Sequence, residues 1–378
     1  MKVAILGARG IPARYGGFET FAEKLAVGLA ERGFQMTVFC EGREGQPPAR
    51  FHGVELRYHS APALGPLQTI AYDLKCLWSA RRGFDVVYML GYGVAPFCAL
   101  PRLWRTTVWI NPDGVEWARA KWNAFAKLYF RCMEWFAVRA ASRVLADAEA
   151  IAAHLERRHG PLRACSVIPY GCEIVKVPPD AAMLRNRGLE AYDYFLVVCR
   201  LEPENHVLEI LEAFRKSHSK RQLVIVGNNQ VSTPYVKQLR SVRDPRIRMI
   251  GTVYDAPLLT TLRSCAFAYL HGHSVGGTNP SLLEAMGCAN LILAHDNAFN
   301  RETLGDEGLY FRTTEDLAAT INAVESRPED LERLRVGARE RATARYNWSD
   351  VIDRYAELLR QEADTPDGGK SKACQPKT

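Results

Sequence analysis

Short apolar runs alternate along the chain with longer stretches whose apolar residues recur every three to four positions. The short runs, bounded by turn formers, read as buried strands, and the longer period reads as amphipathic helix. In the first half, strands are predicted at 2–6, 35–40 (QMTVFC), 85–90 (DVVYML), 106–111 (TTVWIN), 143–146 (RVLA) and 165–170 (CSVIPY). In the second half they are predicted at 194–199 (YFLVVC), 222–227 (QLVIVG), 246–251 (RIRMIG), 266–271 (AFAYLH) and 290–295 (NLILAH). Such alternation predicts parallel sheets with helices on their faces, and two series predict two similar α/β domains, 1–172 and 181–345. The stretch YGCEIVKVPPD, 170–180, has prolines and no helical period and reads as a linker. Residues 328–362 read as terminal helices broken near YNW (346–348), with Val351, Tyr355, Leu358 and Leu359 on one stripe. The last residues, 363–378, read as a disordered tail.

Composition adds a charge asymmetry. Residues 1–170 carry 22 Lys and Arg against 14 Asp and Glu, whereas the remainder carries 27 against 28. A one-sided basic half suits a membrane surface or a phosphorylated lipid, or else a solvated surface with surplus arginine. No zinc spacing, basic helix or RNP-like strand occurs, so nucleic acid is not expected as a partner. A chain of 378 residues, 47% apolar, can bury two cores. Its ten cysteines include no C-x-x-C pair and read as reduced thiols in cytosol. MKVAILG reads as a strand rather than a signal peptide, and no apolar run is long enough to span a bilayer.

The turn after the first strand, LGARGIPARYGGFETFAEKLA (6–26), resembles a phosphate-binding loop. Phe18, Phe21, Ala22, Leu25 and Leu29 fall at helical spacing, which places Gly16 and Gly17 at a helix N-terminus where free amides and the helix dipole favour an anion. A dinucleotide fold needs G-x-G-x-x-G, and Arg9 occupies the second glycine position. Glu41 mimics the ribose-binding acid, which keeps a dehydrogenase as an alternative, and a turn serving only geometry is another. A second constellation, HGHSVGGTNPSLLEAMG (271–287), has a strand end, a glycine-rich loop and a helix starting near Pro280. Arg200, in CRLEPENH, falls at the carboxyl end of a strand, where a guanidinium can fork onto phosphate. His271 and His273 flank the second loop without partners at metal spacing.

At these residues the chain resembles the retaining glycosyltransferases of family 4, of GT-B architecture. RGIPARYGGFET, NPDGVEWARAKW (111–122) and GGTNPSLLEAMG (276–287) resemble the bacterial dTDP-rhamnosyltransferase branch. The resemblance implies two Rossmann-like parallel-sheet domains facing a cleft, with a helix at 346–362 returning to the first. It places Gly16, Gly17, Asn205, Gly251, Thr252, Val253, His273, Gly277, Thr278, Asn279, Pro280, Ser281, Leu282 and Glu284 against the donor. The amides at 280–282 would hold its terminal phosphate, Glu284 its ribose, and Arg200 its diphosphate charge. Asp113 would lie beside the transferred sugar, although Asn-Pro-Asp-Gly is also ordinary turn chemistry. Relatives carry a lysine where this chain has Asn205, for which His206 is a candidate substitute, and a glutamate where it has Gly276. Loss of that glutamate suits a deoxysugar.

No D-x-D motif occurs, so no metal and no cofactor is expected beyond the donor, dTDP-rhamnose. The resemblance implies a lipid-linked saccharide acceptor and a peripheral place on the cytoplasmic face of the inner membrane. The aromatic segment 122–145 reads either as core or as a shallow membrane contact through Trp122, Phe125, Ala126, Tyr129 and Phe130, with Leu128, Cys132, Trp135, Phe136 and Val138 on the other faces. GDP-mannose or UDP-hexose donors, and a scaffold that binds glycan or membrane without transfer, remain alternatives.

Overall fold

The computed structural model describes residues 1–13, 16–43, 46–61, 63, 65–177, 179–228, 233–326 and 331–364. The expected tail lies outside the described residues from 365 onward. The chain divides into two compact units, the first comprising 1–118, 122–170 and the chain from Trp348, the second 119–121 and 171–347.

The first unit holds an eight-stranded sheet of β1 (Lys2–Leu6), β2 (Gln35–Glu41), β3 (Ala49–Phe51), β4 (Val54–His59), β5 (Val86–Leu90), β6 (Thr107–Asn111), β7 (Arg143–Ala146) and β8 (Cys165–Val167). Its order is β3-β4-β2-β1-β5-β6-β7-β8, and all pairs are parallel except β3 with β4. Central strands are apolar on both faces because helices cover both, so Val86–Leu90 is buried at every position. The Trp348–Asp364 helix belongs to this unit. Ile352 lies where a Cβ on Gly28 would come within 2.4 Å of its Cδ1, and Tyr355 meets Tyr88 hydroxyl to hydroxyl at 3.1 Å.

The second unit holds β9 (Tyr194–Val198), β10 (Gln222–Val226), β11 (Ile247–Gly251), β12 (Ala268–His271), β13 (Ile292–His295) and β14 (Leu309–Phe311), all parallel, in the order β11-β10-β9-β12-β13-β14. The expected linker is bound to this unit rather than free. Cys172 N donates to Tyr346 O at 2.7 Å, and Val175 N to Gly287 O at 3.0 Å. The nine described cysteines are all free, and no described helix is long and apolar enough to cross a membrane.

Candidate functional site

In the second sheet the strand order reverses between β9 and β12. Open parallel sheets bind ligands at the carboxyl ends of their strands beside such a reversal. Arg200 follows β9, and the loop from Gly272 to Asn279 follows β12. The two loops are stitched together. Ser274 donates to Glu204 O through N at 3.0 Å and Oγ at 3.1 Å, and a Cβ on Gly272 would stand 2.2 Å from Asn205 O. Arg200, Asn205 and His273 therefore share one place.

Three cations converge there on one carboxylate. Arg200, Arg119 and Lys121 stand 3.4, 3.8 and 4.0 Å from Glu202, whose side chain is 13% exposed. Guanidinium and ammonium groups gathered at a sheet's carboxyl edge are complementary to an anionic ligand. Asn205 is buried, and its Nδ2 donates to Arg200 O at 2.7 Å, which shapes the loop. The His206 ring spans Glu209 Oε1 at 3.1 Å and Ser274 Oγ at 3.0 Å and stacks on His295. Arg119 and Lys121, in WARAKW, are the cations the sequence reading missed. The charges alternating with alanine there were the available signal. Burial, helped by the Arg200 and Arg119 guanidiniums, pushes the His273 pKa down to about 3. It stacks at 4.4 Å on His271, which burial likewise holds neutral.

The helix Pro280–Gly287 starts beside this cluster in sequence, but its first amides are not unsatisfied as expected. Pro280 has no N–H, Ser281 N donates to Asn279 Oδ1 at 3.0 Å, and Leu282 N donates to Asn279 O at 3.1 Å. Asn279 is an N-cap, so the side chain that starts the helix also covers its donors. Arg263, buried, holds Glu284 Oε2 at 2.5 Å, and 37% of the Glu284 side chain stays exposed. Gly276 has φ of 137°, a backbone in which a glutamate would be strained. Gly277 and Thr278 are buried in the same loop. At the ends of β10 and β11, Gly227 N donates to Gly251 O at 2.8 Å, and a Cβ on Gly227 would overlap Cys199 O. Gly251, Thr252 and Val253 thus belong to a loop row that reaches Arg200 through Gly227 and Cys199, with Thr252 exposed.

In the first unit, Gly16 is the extended N-cap of the helix Gly17–Glu31 and offers no side chain. That helix start already has its own anion. Glu19, buried, accepts from Arg9 N at 3.1 Å, and a Cβ on Gly16 would come 2.7 Å from Glu19 Oε2. Asp113 follows β6 in the left-handed region, φ 57°, and its N donates to Asn111 Oδ1 at 2.7 Å. It lies near Tyr170, whose buried hydroxyl is held un-ionised first by burial and then by the Asp113 and Asp147 carboxylates. Trp117 donates to Glu134 at 2.8 Å. Burial alone would raise the Glu134 pKa, and bonds from His154, His159 and Trp117 outweigh it and hold the carboxyl below its usual range.

The face of the helix Ala124–Ala140 differs from the expected one. Trp122, Tyr129 and Phe130 are half-buried and pack on one another, while Phe125 is 86% and Leu128 60% exposed, with Cys132, Trp135 and Phe136 along the same open face. The Arg139 guanidinium lies 3.8 Å over the Trp135 ring.

Residues 1–173 match the family model of a domain of unknown function (DUF1972), and residues 185–341 match that of glycosyl transferases group 1. No curated protein matches the chain. Among solved structures, sucrose-phosphate synthase from Thermosynechococcus elongatus aligns with a TM-score of 0.80 at 17% identity, over 95% of this chain and 98% of that one. Alr3699/HepE of Anabaena, in complex with UDP-glucose, aligns at 0.76 and 18%, over 96% and 100%. A glycosyltransferase from Rickettsia africae ESF-5 aligns at 0.70 and 14%, over 97% and 99%. These likenesses establish the GT-B fold, with its two parallel-sheet Rossmann-like domains. Fold and family models together support a GT-B glycosyltransferase, with a group 1 glycosyl transferase domain in the second unit and a DUF1972 domain in the first.

Proposed function

We propose that the chain transfers rhamnose, with retention, from dTDP-rhamnose to a lipid-linked saccharide at the cytoplasmic face of the membrane. The observation that carries this reading is the gathering of Arg200, Arg119 and Lys121 around Glu202 at the strand-order reversal of the second sheet. In this reading the donor's diphosphate replaces Glu202 as their partner. Charge-assisted bonds contribute roughly 1.5–3 kcal/mol each. Three would supply about 5–9 of the roughly 8–23 kcal/mol by which enzymes lower such barriers. This assigns stabilisation of the leaving group to side chains and requires no metal. Ser281 N becomes a phosphate donor once Asn279 turns away, with Gly277 and Thr278 on the approach. Glu284 takes the ribose hydroxyls, and the Gly251–Val253 loop takes the base. Neutral His273 can donate to or accept from the sugar. The glycine-only backbone at Gly276 supports a deoxysugar.

The sugar C1–O bond to the diphosphate breaks through an oxocarbenium-like state, and a C1–O bond to the acceptor forms on the same face. The departing phosphate takes the acceptor's proton. Asp113 is assigned to orienting the acceptor. Membrane contact is assigned to Phe125, Leu128, Trp135 and Phe136 with the neighbouring arginines, an apolar face with a basic rim.

The test is turnover with dTDP-rhamnose, UDP-glucose and GDP-mannose, read by product mass. We expect dTDP-rhamnose to be consumed fastest and dTDP to raise the Tm without divalent ion. Faster use of UDP-glucose, the ligand in the HepE complex, would replace the sugar while keeping the reaction. Stabilisation by NAD alone would favour the dehydrogenase, and binding of glycan or vesicles without turnover would favour a scaffold.

A further inference from the structure

The seam between the loops after β9 and β12 runs through one imidazole. Ser274 Oγ lies 3.1 Å from Glu204 O and 3.0 Å from His206 Nε2, and the other ring nitrogen, Nδ1, lies 3.1 Å from Glu209 Oε1. The protons available for these three contacts fix the charge of the ring. A carbonyl oxygen only accepts, so the single Ser274 hydroxyl proton goes to Glu204 O. Ser274 Oγ then meets Nε2 with a lone pair, and Nε2 must donate. Glu209 is ionised, its carboxyl held below the usual range by the His206 bond against the opposing effect of burial, so Nδ1 must donate as well. Only an imidazolium donates from both nitrogens. A neutral ring, in either tautomer, would leave two acceptors facing each other at one of the three contacts.

The other titratable neighbours carry no charge of their own. His295 stacks on the ring at 4.7 Å, its pKa lowered first by burial and then by His206, and His273 on the β12 loop is the neutral imidazole described above. Two local forces oppose the arrangement. The His206 backbone is left-handed, φ 49° and ψ 34°, and it precedes the helix Val207–Lys216, whose positive dipole end disfavours a cation. Glu209, in the first turn of that helix, offsets the second. A disfavoured backbone and a cation at the disfavoured helix end thus both persist beside one loop.

We propose that His206, as an imidazolium, is the latch that fastens the loop after β12 to the loop after β9 and thereby positions Gly277 and Thr278 on the donor's approach. This rests on the transferase reading above, which assigns those residues to the donor. His206 is a positioning residue that acts through Ser274, and its own ring is committed to Glu209 and Ser274.

The experiment uses the full chain at neutral pH with Ser274→Ala, His206→Asn and Glu209→Gln. Nitrogen NMR of histidine-labelled protein reads the ring, hydrogen exchange reads the amide of residue 274, and titration reads affinity for dTDP and UDP. In the parent chain both His206 nitrogens should be protonated. Ser274→Ala should keep that ring signature yet speed the amide exchange at least about tenfold and weaken dTDP binding at least about fivefold, as should His206→Asn. Glu209→Gln should return the ring to its neutral form, with exchange and affinity between parent and Ser274→Ala because the bond to Ser274 is then no longer charge-assisted. A neutral His206 ring in the parent chain, or parent-like dTDP affinity in Ser274→Ala, would overturn the proposal, and both readouts stand even if His206→Asn fails to fold. Failure of the parent chain to bind either nucleotide would instead sink the transferase reading, while the ring spectrum and the amide exchange would still judge the latch.

Discussion

The two sheets share parallel order and a reversal beside their first strand, yet their carboxyl edges carry opposite chemistry. At β9 and β12 the second unit gathers Arg200, Arg119 and Lys121 with neutral imidazoles. The first unit buries Glu19 in the helix that follows β1, and Asp73 on the helix Gln68–Ala80. Even the helix starts differ: Glu19 already supplies a negative charge to the helix Gly17–Glu31, whereas a neutral Asn279 caps the helix Pro280–Gly287. A helix N-terminus is therefore an anion site only where its neighbours have left the dipole uncompensated.

The sharpest test of this contrast is Arg200→Ala. Its side chain is 55% exposed and its ion pair with Glu202 is long, so the Tm should change little. Loss of a charge-assisted bond worth about 1.5–3 kcal/mol should lower kcat/KM roughly 10- to 150-fold. An unchanged rate would remove the cationic edge from the chemistry.

Proton linkage should also split the units. Folded His273, with a pKa of about 3 against 6.5 unfolded, leaves the extra proton to the unfolded chain. Stability of the second unit should therefore fall as the pH drops below about 6.5, by about 1.4 kcal/mol from this group at about pH 5.5. Asp73, about 7 folded against 3.8, runs the other way: the folded state holds the proton, and stability falls as the pH rises through that window. Hydrogen exchange resolved by unit would show the opposing slopes, and parallel slopes would break the contrast.

Asn279→Ala removes the cap and should cost about 1 kcal/mol by urea denaturation, with dTDP affinity kept or raised because Ser281 N is released. A loss of dTDP affinity would make Asn279 itself a ligand contact. The smallest effect is expected from Glu19→Gln, about 0.3–1 kcal/mol of stability with dTDP affinity within about twofold. A clear gain in affinity would bring the Gly16–Gly17 turn into the diphosphate site.

The parallel strands were readable because burial on both faces leaves unbroken apolar runs such as VVYML. The β3–β4 hairpin was not, since an edge pair alternates polar with apolar. Its turn, His52-Gly53 with φ of 45° and 84°, was the overlooked sign. Glycine at 276 was read as a loss of chemistry, and only the backbone shows why another residue is disfavoured there. Phe125, Leu128, Cys132 and Trp135 recur at helical spacing, but with apolar residues on every face periodicity could not tell which stripe packs inward. Whether an amide at a helix start is free depends on the rotamer of one asparagine, which no pattern of residue types encodes.

The closing helix has a bearing on how this molecule is made. Residues Trp348–Asp364 complete the first unit, with Ile352 against Gly28, Tyr355 against Tyr88, and Arg32 on Asp353 at 2.6 Å. During synthesis the amino-terminal unit must wait, its aromatic interior uncovered, until the whole intervening unit has left the ribosome. A nascent chain stalled before Trp348 would thus display a ready target for chaperones and proteases, and expressing residues 1–170 by themselves would reproduce that exposed state.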